Sequence, residues 1–124
     1  MFAINVWCAI VFLFDPQTYV GAYELQGTAG EAAVRGMGVV FLMWNATYPL
    51  YIFRPDRYRA LGRIIIVQQA IGCAGEAFIL ATLGAGHELL AASILRFIAF
   101  DVGGLLIEVA AFAVLYVAKR QYVK

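Results

Sequence analysis

Seven polar or charged side chains interrupt long apolar stretches of this sequence and are the residues best placed to do chemistry. They are Arg35, Asn45, Gln69, Glu76, Arg96, Asp101 and Glu108. A carboxyl group held in a pocket can act as an acid or a base. Polar groups kept away from water bond to one another or to a bound molecule. We therefore predict that these residues form a polar interior that serves as a ligand or proton site.

Four of the charged residues fall at similar depths when positions are counted inward along each predicted helix. They are Arg35, Glu76, Arg96 and Asp101. A lone ionised group at the centre of a bilayer costs about 2.5 to 3.5 kcal/mol on insertion scales, so unpaired charges are disfavoured there. Arg96 and Asp101 lie about 140° apart around one helix, so each needs a partner on another helix. We predict that Arg35 and Arg96 pair with Glu76 and Asp101.

A second polar layer is predicted nearer the middle of the bilayer, where the short side chain of Glu108 cannot reach water. We expect the Glu108 carboxyl to be neutral or to be hydrogen-bonded by Asn45 and Gln69. Two other interpretations of the charges stay open. Arg35 and Arg96 can extend their guanidinium groups to the lipid headgroups, and a buried pair can serve only to fix helix register.

Composition and segment length predict that membrane helices carry these side chains. The 124-residue chain is 64% hydrophobic and 14% charged, whereas a soluble domain is about half apolar and a quarter charged. About 20 apolar residues cross a bilayer as a helix. We predict one domain, an all-α integral membrane four-helix bundle with spans at residues 1–14, 33–53, 60–83 and 89–118.

The first predicted span is short, because Asp15 precedes a proline and proline disfavours helix in the residue before it. A cleaved signal peptide is the competing interpretation of residues 1–14. The positively charged start that such a peptide needs is missing. We therefore expect a retained helix.

Basic residues follow alternate ends of the predicted spans. Arginines cluster at 54–63 and basic residues recur at 119–124, whereas the connections 15–32 and 84–88 contain neither lysine nor arginine. Positive charge is retained on the cytoplasmic side. We therefore predict that both termini face the cytoplasm, in the cytoplasmic membrane of a prokaryote.

Small residues share the predicted helix faces with the polar side chains and predict close contacts between helices. They are Gly36, Gly38, Gly72, Ala74, Gly75, Gly103 and Gly104. Most tryptophans and tyrosines, including Trp7, Trp44 and Tyr48, fall near predicted helix ends. We expect those rings at the membrane interface, where amphipathic aromatic side chains are enriched.

Several chemistries lack their motifs in this sequence. It has no glycine-rich phosphate loop, no HExxH, no GxSxG and no paired Glu-x-x-His set of the di-metal type. Cys8 and Cys73 form no CxxC pair, and His87 is the only histidine. We predict no cofactor, no metal and no nucleic-acid partner. The expected partners are the lipid bilayer and either further copies of the chain or a larger membrane complex.

Four short stretches resemble the small four-helix DoxX-like membrane proteins and their uncharacterised relatives. They are Phe14-Asp15-Pro16, the EAAVRGMG segment from Glu31 to Gly38, Arg54-Pro55 and Gly75-Glu76. Those relatives often carry Gly-Arg where this chain has Gly75-Glu76, and here arginine stands in the fourth predicted helix instead. The resemblance covers nearly the whole chain in layout. It implies a four-helix bundle and names no reaction.

Three functional hypotheses follow from the sequence. In the first, the polar interior binds a small or amphiphilic ligand or handles protons. In the second, the chain is an accessory or scaffold subunit that docks against a larger membrane complex through its charged residues. In the third, the chain is a membrane enzyme that acts on a lipophilic substrate, with Glu76, Asp101 or Glu108 as acid or base.

Overall fold

The regular secondary structure of the described residues is entirely helical. A computed structural model describes the backbone over residues 1–122 and the side chains over residues 1–116. The helices are α1 (Phe2–Phe14), α2 (Gln17–Val20), α3 (Gly27–Asn45), α4 (Tyr48–Phe53), α5 (Arg59–Thr82) and α6 (Glu88–Tyr122). A single 3-10 turn, Gly21–Tyr23, follows α2. The prediction of an all-α protein is confirmed.

Three helical segments are long and apolar enough to cross a membrane: residues 27–53, 59–82 and 88–116. Helix α1 has 13 residues and reaches only about 20 Å at 1.5 Å per residue. It forms a pair with Gln17–Tyr23 that is bent by 102°, and this pair makes a fourth apolar unit if it is counted as one span. The described chain therefore offers three or four membrane-length segments.

The membrane-length segment 27–53 begins earlier than the predicted residue 33. Helix α3 starts at Gly27, and a short break at 46–47 separates it from α4. The predicted start was set where the hydropathy rises, whereas α3 also includes less apolar residues in its first turns. Gly30 was expected in a loop but is buried in α3, where an added Cβ would lie 2.9 Å from the Leu25 Cβ. Its role is to let the preceding chain approach the helix.

Helices α1 and α3 pack against each other in opposite directions. Phe2 stacks on Tyr48, with ring centroids 6.0 Å apart, and Phe12 stacks on Phe41 at 5.6 Å. Phe12 is fully buried and forms the core of this pair with Val20 and Val34. This aromatic core fixes the position of the helix that carries Asn45.

Helices α5 and α6 form a second antiparallel pair. Near the basic connection, the Arg59 guanidinium lies 4.8 Å from the centroid of the Tyr116 ring, and the Tyr116 hydroxyl donates to the Pro55 carbonyl at 2.8 Å. Farther along, Gln69 Nε2 donates to the Asp101 carbonyl oxygen at 3.2 Å. The two helix pairs leave between them the space that the polar residues border.

The opposite end of the molecule is closed by contacts between the segment after α2 and the start of α6. Ser93 Oγ donates to the Ala22 carbonyl at 2.8 Å. The Glu24 carboxylate lies 2.6 Å from His87 Nδ1 and accepts a bond from the Leu90 amide at 3.1 Å. We call the contact of Glu24 with His87 and Leu90 the outer clasp.

We expect the outer clasp to contribute to stability in a pH-dependent way. The bonds from His87 and from the Leu90 amide lower the pKa of Glu24 from its ordinary value of 4.5. A carboxyl with a lowered folded-state pKa adds stability above its unfolded pKa and loses it as pH falls through the folded value. Glu24→Gln should therefore lower the thermal unfolding midpoint at neutral pH, and this difference from the wild type should shrink as pH falls below 4.5.

Thermal unfolding followed by circular dichroism, with wild type and variant side by side from neutral to acidic pH, tests this expectation. His87→Gln is the companion variant, since it removes the larger of the two contributions. It should reduce the effect of Glu24→Gln at neutral pH. A difference between wild type and Glu24→Gln that stays constant over the whole pH range would contradict the clasp.

Candidate functional site

A cavity of about 720 Å³ lies between the two helix pairs. This volume falls in the range of about 300 to 1,000 Å³ that is usual for small-molecule sites. Residues of α1, α3, α5 and α6 and of the segment Gln17–Tyr23 line it. Its aromatic lining consists of Trp7, Tyr19, Tyr23, Phe41, Trp44, Phe97 and Phe100. The cavity is thus a largely apolar chamber with a few polar groups in its wall.

Five of the seven predicted site residues line this cavity. They are Asn45, Gln69, Glu76, Arg96 and Asp101. Arg35 lies outside it, with an exposed side chain on the surface of α3. Glu108 is also absent from the lining. The polar faces of α3, α5 and α6 therefore converge inside a single chain.

The predicted ion pairs are not formed. Arg35 lies 3.8 Å from the Glu31 carboxylate, one turn away on the same helix. Arg96 donates to the Ala92 carbonyl and to Ser93 Oγ, each at 3.3 Å. Within residues 1–116, no ion pair joins either arginine to Glu76 or Asp101. Long arginine side chains reach acceptors on their own helix, so the depth of a residue alone could not identify its partner.

Of the two alternatives predicted for Glu108, the hydrogen bonds from Asn45 and Gln69 are not formed. Glu108 Oε1 accepts a bond from the Tyr48 hydroxyl at 2.8 Å. Asn45 Nδ2 instead donates to the Phe41 carbonyl at 2.8 Å, and Gln69 donates to the backbone of α6. Tyr48 was expected at the membrane interface but is only 4% exposed. Tyr48 begins α4 beyond the break at 46–47, so the periodicity of a continuous helix could not place it beside Glu108.

Three polar atoms of cavity-lining residues are buried without a hydrogen-bond partner. They are Glu76 Oε2, Asn45 Oδ1 and Trp44 Nε1. Asn45 is only 3% exposed. A buried polar atom that makes no hydrogen bond costs about 1 to 3 kcal/mol. Among the described residues, three members of the cavity wall therefore carry an unsatisfied polar atom, two of them acceptors and one a donor.

Gly72 allows α3, α5 and α6 to meet at the wall of the cavity. A Cβ at this position would lie 2.8 Å from the Trp44 ring and 3.3 Å from Asp101 Oδ2. Glu76 follows one turn later on α5, on the same face. The carboxyl groups of Glu76 and Asp101 both line the cavity. Two acids and a tryptophan thus share one side of the cavity.

The sequence did not reveal the contribution of the first 23 residues to this cavity. Trp7 and Cys8 of α1 and Tyr19 and Tyr23 of the following segment line it. The chain turns by 102° after α1, and this brings the two tyrosines over the space between the helix pairs. Hydropathy reports the apolar character of such a segment but not the direction of its turn. Within the described residues, no cluster of potential metal ligands is present.

Comparison of the chain with protein-family models, with curated proteins and with solved structures gives no match.

Proposed function

We propose that this chain is a multi-pass membrane protein that binds a small amphiphilic molecule in the cavity between its two helix pairs. The observation that carries the proposal is the 720 Å³ chamber itself, since it combines aromatic walls with buried polar atoms that lack partners. An apolar body would pack against the rings. A polar end would satisfy Glu76, Asn45 and Trp44.

The convergence of the polar side chains favours this function over a scaffold role. A subunit that docks through its charges needs those charges on its outer surface. Here Glu76 and Asp101 are half-buried and border the cavity with the buried amides Asn45 and Gln69, while the exposed charges nearby are Arg35 and Arg96. A scaffold with a fully packed centre would leave no chamber of this size.

The proposal places four crossings in the cytoplasmic membrane of a prokaryote, with both termini in the cytoplasm. The contact of Arg59 with Tyr116 brings the basic connection close to the last part of α6. The stacking of Phe2 on Tyr48 brings the start of α1 to the helix that leads into the same connection. The positive-inside rule then supports a cytoplasmic location for this end. A DoxX-like bundle remains the proposed architecture.

Intrinsic fluorescence tests the proposal, because the chain has two tryptophans and both Trp7 and Trp44 line the cavity. The protein is placed in lipid nanodiscs and titrated with three amphiphiles that share a nonyl chain: nonylammonium, nonyl glucoside and nonyl sulfate. We expect at least one of them to produce a saturable change in emission. Partition into the lipid alone gives a change that does not saturate.

Gly75→Leu supplies the specific test. Gly75 lines the cavity, and an added Cβ there meets nothing within 4 Å, so the leucine side chain enters free space instead of displacing the backbone. The leucine side chain would occupy space that the ligand needs. Binding should weaken by about tenfold or more, because overpacking between the side chain and the ligand costs about 1 to 3 kcal/mol. Gly36→Leu is the matched control, since its Cβ is equally free and lies outside the cavity.

Equal binding by wild type, Gly75→Leu and Gly36→Leu would contradict a ligand site in the cavity. The absence of a saturable change with all three amphiphiles would have the same consequence. Reproducible co-purification with a larger assembly would then support the accessory-subunit hypothesis.

A further inference from the structure

We propose that the polar end of the ligand is a cation, and that the cavity selects amphiphilic amines whose protonated nitrogen is held between Glu76 and Asp101. This inference rests on the proposed function and adds the chemical class of the ligand. It is carried by the charges of the cavity wall, by the unpaired acceptor of Asn45 and by the position of the aromatic rings.

The charges of the cavity wall are unbalanced in favour of the acids. Glu76, Asp101 and Arg96 are the charged residues that line the cavity. The Arg96 side chain is exposed and directs two hydrogen bonds to its own helix, to Ala92 and Ser93. With all three groups ionised, one negative charge remains. A single monovalent cation would neutralise it, and an unpaired carboxylate in an apolar site is costly.

Asn45 disfavours an anionic head group independently of the acids. Its Nδ2 is committed to the Phe41 carbonyl, and its Oδ1 is buried without a partner in the wall of the cavity. An amide oxygen can only accept a hydrogen bond. A ligand that reaches this oxygen must therefore supply a donor. An ammonium group carries several N–H donors, whereas a sulfate or a carboxylate carries none.

Aromatic rings that can attract a cation lie near the position proposed for the ammonium group. Trp44 lies beside Gly72 and close to Asp101, and Phe41, Phe97 and Phe100 complete the apolar wall nearby. Cations are attracted to the faces of aromatic rings, and tryptophan is the strongest of these partners. The Trp44 Nε1 donor also lacks a partner. A hydroxyl or ether oxygen near the amine would satisfy it.

The nanodisc titration with matched head groups tests the charge of the ligand. Wild-type protein should bind nonylammonium about tenfold more tightly than nonyl glucoside, since an ionic hydrogen bond is about twice as strong as a neutral one. Nonyl sulfate should bind most weakly. Glu76→Gln and Asp101→Asn should each reduce the preference for ammonium while leaving the binding of nonyl glucoside nearly unchanged.

The double variant Glu76→Gln, Asp101→Asn gives the sharpest result. Arg96 is then the only charged side chain in the wall, so the preference should reverse and nonyl sulfate should bind more tightly than nonylammonium. Glu31→Gln is the charge-matched control, because it removes a carboxylate that does not line the cavity. It should keep the wild-type order of head groups. Binding of nonyl glucoside reports that each variant retains a folded cavity.

The outcomes separate this inference from the proposed function. If nonyl glucoside binds saturably and Gly75→Leu blocks it, but nonylammonium has no advantage, the ligand class is wrong and the cavity function stands. An ammonium preference that survives the double variant would also overturn the inference. Failure of all three amphiphiles to bind would overturn both.

Discussion

Replacing Gly38 with leucine is expected to separate α1 from α3 and to lower the free energy of unfolding by about 1 to 3 kcal/mol or more. An added Cβ at this position would lie 2.9 Å from the carbonyl oxygen of Ala9 and 3.0 Å from the Phe12 Cβ. The first of these contacts is with backbone, which cannot move aside as a flexible side chain can. The helices must therefore shift, and the core around Phe12 must loosen.

Gly36→Leu is the matched control for this prediction. Gly36 lies two residues before Gly38 on α3, and its added Cβ meets nothing within 4 Å. Unfolding by increasing SDS in mixed micelles, followed by circular dichroism, should give a large loss for Gly38→Leu and almost none for Gly36→Leu. Equal losses in the two variants would mean that α1 does not cross α3 at Gly38.

These two glycines also show what the sequence could predict about helix packing. Seven small residues were expected at close contacts, on the grounds that they share faces with polar residues. Gly38, Gly72 and Gly104 do lie close to Ala9, Trp44 and Met1, respectively. Gly36, Gly75 and Gly103 have free space at the position of a Cβ. Periodicity predicts which residues share a face, but the crossing point of two helices depends on their tertiary arrangement.

The charged residues illustrate the same limit at the level of side chains. The depth of a residue and the helix face on which it lies can both be calculated from helix geometry. These two quantities placed Glu76, Asp101 and Arg96 in one region, and all three line the cavity. They did not predict hydrogen-bond partners, because a side chain of several rotatable bonds selects among acceptors within a few ångströms. Arg35 illustrates this, since Glu31 is one turn away and makes a distant partner unnecessary.

The hypothesis of a membrane enzyme uses the same two acids as the ligand hypothesis. Glu76 and Asp101 line one cavity, so an acid or base would be available to a bound lipophilic molecule. The two hypotheses differ in one observable. A binding protein releases every molecule that it binds unchanged, whereas an enzyme converts at least one bound lipophilic molecule into a product that mass spectrometry detects.

A further prediction with a large expected effect concerns the contact between α4 and α6, where Tyr48 donates to Glu108 at 2.8 Å. The other carboxyl oxygen of Glu108 is buried without a partner. Tyr48→Phe would leave both oxygens of the carboxyl unpaired. The expected loss in the free energy of unfolding is about 1 to 2 kcal/mol, above the average for a hydrogen bond between membrane helices, because a buried acceptor remains unsatisfied.

A double-mutant cycle with Glu108→Leu identifies the cause of that loss. In the Glu108→Leu background no carboxyl remains beside Tyr48, so the additional change of Tyr48→Phe should cost much less than it does in the wild type. Removal of both polar partners should be less damaging than removal of the tyrosine hydroxyl alone, since an apolar pair leaves nothing unsatisfied. The cycle is measured by the same SDS unfolding. If the cost of Tyr48→Phe is the same in both backgrounds, the hydroxyl does not stabilise the protein through Glu108, and this contact is not what joins α4 to α6.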